Sequence, residues 1–394
     1  VTIDATLRIG VYGEFGIGNA GNDESARVVH QLLRELSITD VTLISLSGVA
    51  ATRAVGLPAL SFTSSAPSSA RPTVVVKALR LFSKVGDQVR MIRIVGEFDA
   101  VIVAGTGLLE APRGRYPGGD MVWLSMLSVA CRMRRVPLVW FAIGGGRYAS
   151  RIPGRLAAWA GKAAQTRSYR DPLTPAWLAA NGLDVSTDAV VTDVVIARAP
   201  ISRPPRDRDE LQVVAIGPID LPQRLDTSRS EGCYLNGLAE LVSRLQDRGI
   251  RIRLVLGDAA DGPVAEALID RLHSPGLAVT SGPSFDDVLS DVVEHADVVV
   301  ASRFHVLIAA LLAGVPVVAL SHADKDDSLM RTFGLDRYLF SAAAFEPESV
   351  ETAIFASHQS REVIRERMAT SIEEGQTSLR AELLRAIDDV RRGR

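Results

Sequence analysis

Short, nearly unbroken apolar runs recur along this chain with helix-length stretches between them, and no other feature constrains the fold as strongly. Strands buried on both faces read as continuous runs of Val, Ile, Leu and Ala. Helices between such strands cover a parallel sheet on both sides. The first series of predicted strands spans 6–13 (TLRIGVYG), 40–46 (DVTLISL), 99–105 (DAVIVAG) and 137–144 (PLVWFAIG). Helices are expected over 24–36, capped by Asn22 or Asp23, and from about 124 to 134 and about 151 to 164. The Ser/Pro-rich stretch 56–72 is expected to be a mobile surface loop.

At 198–210 (RAPISRPPRDRDE) composition shifts to Pro and charge, and a second series begins: 211–217, 251–257, 277–282, 296–302 and 315–321. With 394 residues the chain exceeds what one hydrophobic core usually organises. The expected α/β fold class is two Rossmann-like domains, 1–198 and 211–345, facing a cleft in a GT-B-like architecture. Amphipathic C-terminal helices over 346–394 complete it.

Bulk properties exclude several function classes. A net charge of −2 gives no basic excess to draw a nucleic-acid backbone. The two cysteines, Cys131 and Cys233, stand far apart and fit a reducing compartment better than a disulfide or zinc scaffold. The longest apolar run, 306–320, is too short to cross a bilayer and is broken by Gly314 and Pro316. The opening residues show no basic segment followed by a long apolar one. A cytoplasmic location is expected.

The stretch GIGNAGNDES (16–25) carries the spacing Gly16-x-Gly18-x-x-Gly21 of a dinucleotide fingerprint. That fingerprint also needs an acidic residue closing the second strand, about 20 residues on, to hold a ribose hydroxyl. Here the second strand ends in LISLSG, with Ser45 and Ser47 at that place. What is left is a glycine-rich turn with Asn19 at its tip, entering a helix. Such a turn either presents N–H groups to an anion or sugar, or only allows the chain to bend.

The stretch 296–325 is more informative. A buried strand ends near Ser302 and a helix runs from near His305 to Gly314, which puts Arg303 and His305 at the carboxyl edge of a parallel strand. Arg303 offers a planar fork of donors for phosphate or carboxylate. His305 can carry a proton near neutral pH. Lys325 follows the next strand on the same rim. Arg170, in TRSYRDPLTPAWLAANGL (166–183), ends a strand of the first series, either as a ligand-binding cation or paired with Asp171 or Asp193. The other five histidines lack metal-ligand spacing, and neither GxSxG nor a P-loop occurs.

Taken in order, GIGNAGNDE, DAVIVAGTGLLE, the Arg170-Asp171 segment, Asp193 of VVTDVV and SRFHVLIAALLAGVPVVAL with its following Lys325 resemble the polysaccharide pyruvyl transferase family from Arg8 to about Leu339. Departures are Asn22 where many members have Asp, AGTG in place of a triple glycine, and no Arg in VVAIGPIDLPQ. The resemblance implies transfer of the pyruvyl group of phosphoenolpyruvate onto sugar hydroxyls, forming a pyruvate ketal. The first domain would be the acceptor side and the second the donor side.

It further implies no cofactor beyond phosphoenolpyruvate as co-substrate, and a sugar acceptor that is free or lipid-linked. The place of action would then be the cytoplasm or the inner membrane surface. Arg303 would hold the donor's phosphate or carboxylate, with Arg170 and Lys325 as supporting cations. His305 would be proton donor, or base for the attacking hydroxyl, and Gly18, Asn19 and Gly21 would touch ligand. The alternatives are a glycosyltransferase using a nucleotide-sugar and a non-catalytic glycan-binding member.

Overall fold

The computed structural model describes residues 7–63, 74–109, 119–146, 151–199, 209–221, 228–273, 277–280 and 284–393. The chain divides into two compact units. The first comprises Val1–Ile17, Asn22–Ala197 and Thr377–Arg394, and the second Gly18–Gly21 with Arg198–Gln376.

In the first unit the chain runs β1 (Arg8–Tyr12), α1 (Ala20–Glu35), β2 (Asp40–Ser45), α2 (Gly48–Val55) and β3 (Ala59–Ser61). Then come α3 (Val74–Val95), β4 (Ala100–Val103), α4 (Gly119–Arg134), β5 (Leu138–Ile143) and α5 (Arg151–Gly161). β6 (Thr166–Tyr169), α6 (Leu173–Ala180) and β7 (Ala189–Val190) close the series. All seven strands are parallel, in the order β3-β2-β1-β4-β5-β6-β7. The central strands β4 (AVIV) and β5 (LVWFAI) are buried at every position, as a sheet covered on both faces requires. Trp140 and Phe141 point from opposite faces of β5 into that packing, both fully buried.

The second unit repeats the plan with β8 (Val213–Gly217), α7 (Ser228–Asp247), β9 (Arg251–Val255), α8 (Gly262–Leu272) and β10 (Ala278–Thr280). α9 (Phe285–His295), β11 (Val298–Ala301), α10 (Phe304–Ala313), β12 (Val317–Ser321), α11 (Asp324–Thr332) and β13 (Leu339–Ser341) follow. Its parallel strand order is β10-β9-β8-β11-β12-β13. Helix α10 is apolar nearly all round and buried accordingly. It ends at Gly314, whose left-handed φ of 65° lets the chain reverse into β12.

In each sheet the strand order reverses beside the first strand of its series: between β1 and β4, and between β8 and β11. At such a switch point the flanking connections leave toward opposite faces and open a crevice at the carboxyl ends of the strands. The residues following β1, β4, β8 and β11 are therefore the ones to inspect.

Three expectations meet a different structure. Helix α1 begins at Ala20, so Asn22 and Asp23 lie in its first turn and neither is its cap. Asp23 instead accepts the Gly16 N–H at 2.7 Å, and Asn22 donates to the Glu14 carbonyl at 3.4 Å. The stretch 56–72 contains a third strand, β3, in register with β2 (Leu43↔Ala59), while 64–72 lies outside the described residues. So does 200–208 of the expected linker. The stretch 346–394 is helical, as α12 (Pro347–Gln359) and α13 (Arg361–Arg392), but it is no separate domain. Its residues through Gln376 belong to the second unit, and Thr377–Arg394 to the first. The buried faces explain this: Val350 and Ile354 on α12, and Leu379, Leu383 and Ile387 on α13, all need cover.

Candidate functional site

Arg303 stands at the N-cap of α10, immediately after β11 and beside the switch point of the second sheet. Its side chain is only 6% exposed. The guanidinium grips Asp261 in a two-pronged pair through Nε at 2.7 Å and through Nη2, and its Nη1 lies 3.4 Å from Asp258 Oδ2. Asp261 is fully buried and also accepts the Asp220 N–H at 3.1 Å. Planar guanidinium and carboxylate match each other edge to edge, so this pair fixes the orientation of the arginine. Three of the five guanidinium N–H groups face these two carboxylates.

Beneath this pair, the Tyr234 hydroxyl lies 2.8 Å from Ser302 Oγ and accepts the Ile219 N–H at 3.2 Å. Burial pushes the Tyr234 phenol up to about 12, so it stays neutral. A Cβ on Gly257, after β9, would come 3.2 Å from Arg303 Cγ and 2.9 Å from Val306. A bare backbone there is what lets α10 start so close to the sheet.

His305 is the second residue of α10, and Gly21 explains where its ring goes. A Cβ on Gly21 would overlap the imidazole, so the ring occupies the space a side chain at position 21 would take. Asn19 caps α1, its Oδ1 accepting the Gly21 N–H at 3.1 Å, and its Nδ2 donates to Asp258 Oδ2 at 3.3 Å. Gly18 has a φ of 92°, a left-handed conformation that suits glycine. Two sequence motifs some 280 positions apart in the numbering thus form one cluster within the second unit: Asn19, Gly21, Asp258, Asp261, Arg303 and His305. Lys325, in the first turn of α11, places Nζ 5.4 Å from the centroid of the Phe304 ring, on the same rim.

The serines at the end of β2 are spent locally. Ser45 Oγ exchanges hydrogen bonds with the backbone of Phe15, both at 3.2 Å, and Ser47 caps α2 by accepting the Ala50 N–H at 3.3 Å. No acid stands there to hold a ribose, which agrees with rejecting the dinucleotide fingerprint.

Arg170 lies at the end of β6 in the first unit, its side chain 3% exposed. It pairs with Asp193 through Nη1 at 2.8 Å, while Asp171 Oδ1, just ahead of α6, accepts the N–H groups of Leu173 and Thr174. A Cβ on Gly144 would overlap the Arg170 guanidinium, so that glycine makes its seat. The neighbouring strand end is irregular: Ala142 has a φ of 52°, and the β5–β6 register shifts between Trp140 and Ile143. Strained non-glycine backbone of this kind collects at functional sites.

Residues the sequence did not single out are as prominent as those it did. Asp258 and Asp261 follow β9 and look, in sequence, like ordinary turn and cap residues. Their only signal is a Gly-Asp pair at a strand end. Glu14, just after β1, is a second case. Burial, together with its hydrogen bond to Asp120 and the charge of that carboxylate, pushes the Glu14 carboxyl up to about 9. Glu14 is therefore protonated at neutral pH and able to donate to Asp120.

The family model for polysaccharide pyruvyl transferase matches residues 19–324, from Asn19 through the Arg303–His305 segment. The chain belongs to the polysaccharide pyruvyl transferase family. No match is found among curated proteins. Among solved structures, a glycosyltransferase from Rickettsia africae superposes with a TM-score of 0.60 at 12% identity, covering 98% of this chain and 99% of that one. A UDP-GlcNAc 2-epimerase from Neisseria meningitidis, bound to UDP-GlcNAc, gives 0.59 at 12% identity, covering 96% and 98%. The Anabaena protein HepE, in complex with UDP and glucose, gives 0.55 at 14% identity, covering 95% and 94%. These likenesses establish the fold: two Rossmann-like domains of the GT-B type. Among the described residues no helix is long and apolar enough to cross a membrane.

Proposed function

We propose that this polysaccharide pyruvyl transferase family member moves the pyruvyl group of phosphoenolpyruvate onto two hydroxyls of a sugar, closing a cyclic ketal on a polysaccharide or its precursor. The observation that carries the proposal is the seating of the His305 ring on Gly21, beside Arg303, at the start of a helix next to a switch point. A proton-carrying group, a fixed guanidinium and a helix N-terminus in one place suit a compact anionic donor.

In balance, one hydroxyl proton ends on the donor's methylene carbon, which becomes a methyl, and the other leaves with phosphate. His305 would protonate the methylene carbon, making C2 electrophilic. The first hydroxyl oxygen then bonds to C2, the C2–O bond to phosphate breaks, and the second hydroxyl closes the ring. No organic cofactor or metal is needed to balance these steps. Arg303 would hold the donor's carboxylate or phosphate with the N–H groups that do not face Asp261 and Asp258. Arg170 and Lys325 would be supporting cations and Gly18 and Asn19 would lie on the ligand side, while Gly21, with its N–H held by Asn19, makes room for the His305 ring.

The opposing carboxylates have a consequence. A guanidinium shared with two aspartates attracts a dianion less than a free one, so geometry matters at Arg303 more than charge. Thermal-shift titration separates this proposal from a nucleotide-sugar glycosyltransferase: phosphoenolpyruvate should raise the melting temperature, and UDP- and GDP-sugars should not. The reverse pattern would overturn the proposal. Mass spectrometry of a sugar incubated with protein and donor should show the gain of a pyruvate ketal.

A further inference from the structure

A second set of groups lies one strand over from Arg303, at the carboxyl ends of β12 and β13. A cavity of about 440 Å³ opens there, lined among others by Ser321, His322, Asp324, Asp327, Phe340 and Ser341. That volume falls within the range of about 300 to 1,000 Å³ common for small-molecule sites. Neighbouring strands stand about 4.8 Å apart, and β11 and β12 pair in register through Ala301↔Ala319. The cavity therefore belongs to the rim that carries α10.

The His322 side chain is 4% exposed, yet neither ring nitrogen makes an aligned hydrogen bond. Its Nδ1 lies 3.0 Å from Oδ2 of Asp326, which is fully buried and also accepts the His322 backbone N–H at 3.2 Å. A buried carboxylate needs a cationic or strongly donating neighbour, and the imidazole beside it is placed to be one. A carboxylate behind Nδ1 favours the tautomer with the proton on Nδ1 and leaves Nε2 as an acceptor.

The chemistry of the lining selects the ligand. Asp324 and Asp327 are carboxylates, the latter accepting from Ser321 Oγ and from Arg331 Nη2 at 3.4 Å, Ser341 adds a hydroxyl, and His322 is the one basic group among the lining residues. That set repels anions and suits neutral hydroxyl groups. Leu339 and Phe340 add apolar surface to the lining.

We infer that this cavity, in the second unit and not in the first domain where the resemblance puts the acceptor, is a sugar subsite in which His322 Nε2 accepts the hydrogen of a ligand hydroxyl. The inference deepens the pyruvyl-transfer proposal and rests on it for the chemical step. In that step the hydroxyl oxygen bonds to the donor's C2 while its proton moves to Nε2 and on to the departing phosphate. The Asp326 carboxyl, 3.0 Å from Nδ1, faces the ring throughout. His305 and His322 then have opposite duties, one giving a proton to carbon and the other taking one from oxygen.

The test is histidine-selective ¹⁵N NMR of the full chain, with the His322 signal identified by its loss in His322→Gln. Methyl hexosides should shift that signal, and inorganic phosphate should leave it in place. Ser341→Ala, an exposed change that does not threaten the fold, should weaken the hexoside response several-fold. Under saturating donor, His322→Gln should lower ketal formation about 100-fold or more, with the KM for phosphoenolpyruvate within threefold of wild type. A response to phosphate, or to neither probe, overturns the subsite, and an unchanged rate in His322→Gln overturns the chemical role. If the wild type forms no ketal with any sugar and the hexoside shift persists, the subsite stands and pyruvyl transfer falls.

Discussion

Among the described residues, each unit of the molecule buries an arginine at the end of a strand, and in both cases a glycine vacates its seat and an aspartate holds it. Arg170 rests on Gly144 and pairs with Asp193, while Arg303 lies beside Gly257 and pairs with Asp261 and Asp258. The surroundings differ. Arg303 adjoins a switch point and shares its cluster with Asn19, Gly21 and His305, whereas Arg170 ends β6, two strands beyond β4 in the sheet. A buried, carboxylate-held arginine is thus a common structural device. The His305 imidazole beside one of them is what turns that place into a candidate for chemistry.

Removing the imidazole, the proton donor of the proposed reaction, should have the largest effect. His305→Ala is expected to lower kcat for ketal formation by about 10²- to 10⁴-fold, with the thermal midpoint close to wild type. Steady-state kinetics beside a melting curve checks both parts. Unchanged turnover would remove His305 from the chemistry.

Breaking the ion pair should act on folding first. Asp261→Ala leaves the Arg303 guanidinium buried with a missing partner, and the expected loss is about 3–5 kcal/mol in chemical denaturation. Arg303→Lys keeps the charge but loses the fork, and should cost affinity for phosphoenolpyruvate and rate together, by about tenfold or more. Arg170→Lys, judged by the same two quantities, should cost less. Equal losses would erase the contrast between the two arginines.

A further expected effect concerns pH. Glu14 is protonated in the folded protein up to about 9 but only to its ordinary 4.5 when unfolded. The folded state therefore binds more protons between those values. Its stabilising contribution is complete below about 4.5 and is lost as pH rises through about 9. Glu14→Gln should flatten that decline, and denaturation at several pH values from 5 to 9 measures it. A slope identical to wild type would contradict the assignment.

Much of the fold was legible in the sequence because it rests on local pattern. The apolar runs at 99–105 and 137–144 became β4 and β5, and the helix expected from His305 to Gly314 is α10 with its glycine stop. What stayed hidden rests on distant partners. Asp261 is 42 residues from Arg303, and nothing in the turn after β9 distinguishes an ion-pair partner from a cap. The start of α1 was misplaced for a similar reason: Asp23 has the chemistry of a cap, yet its carboxylate turns to Gly16 N–H while Asn19 does the capping. The role of Gly21 could not be read from spacing either, since it is the His305 ring, far along the chain, that needs the room.

The most direct test is release of inorganic phosphate from phosphoenolpyruvate by the purified protein, followed across a panel of sugar acceptors with and without His305→Ala. Acceptor-dependent release by the wild type, matched one-to-one by ketal on the sugar and lost in the variant, is the predicted result. Consumption of a nucleotide-sugar with no phosphate released from phosphoenolpyruvate would contradict it.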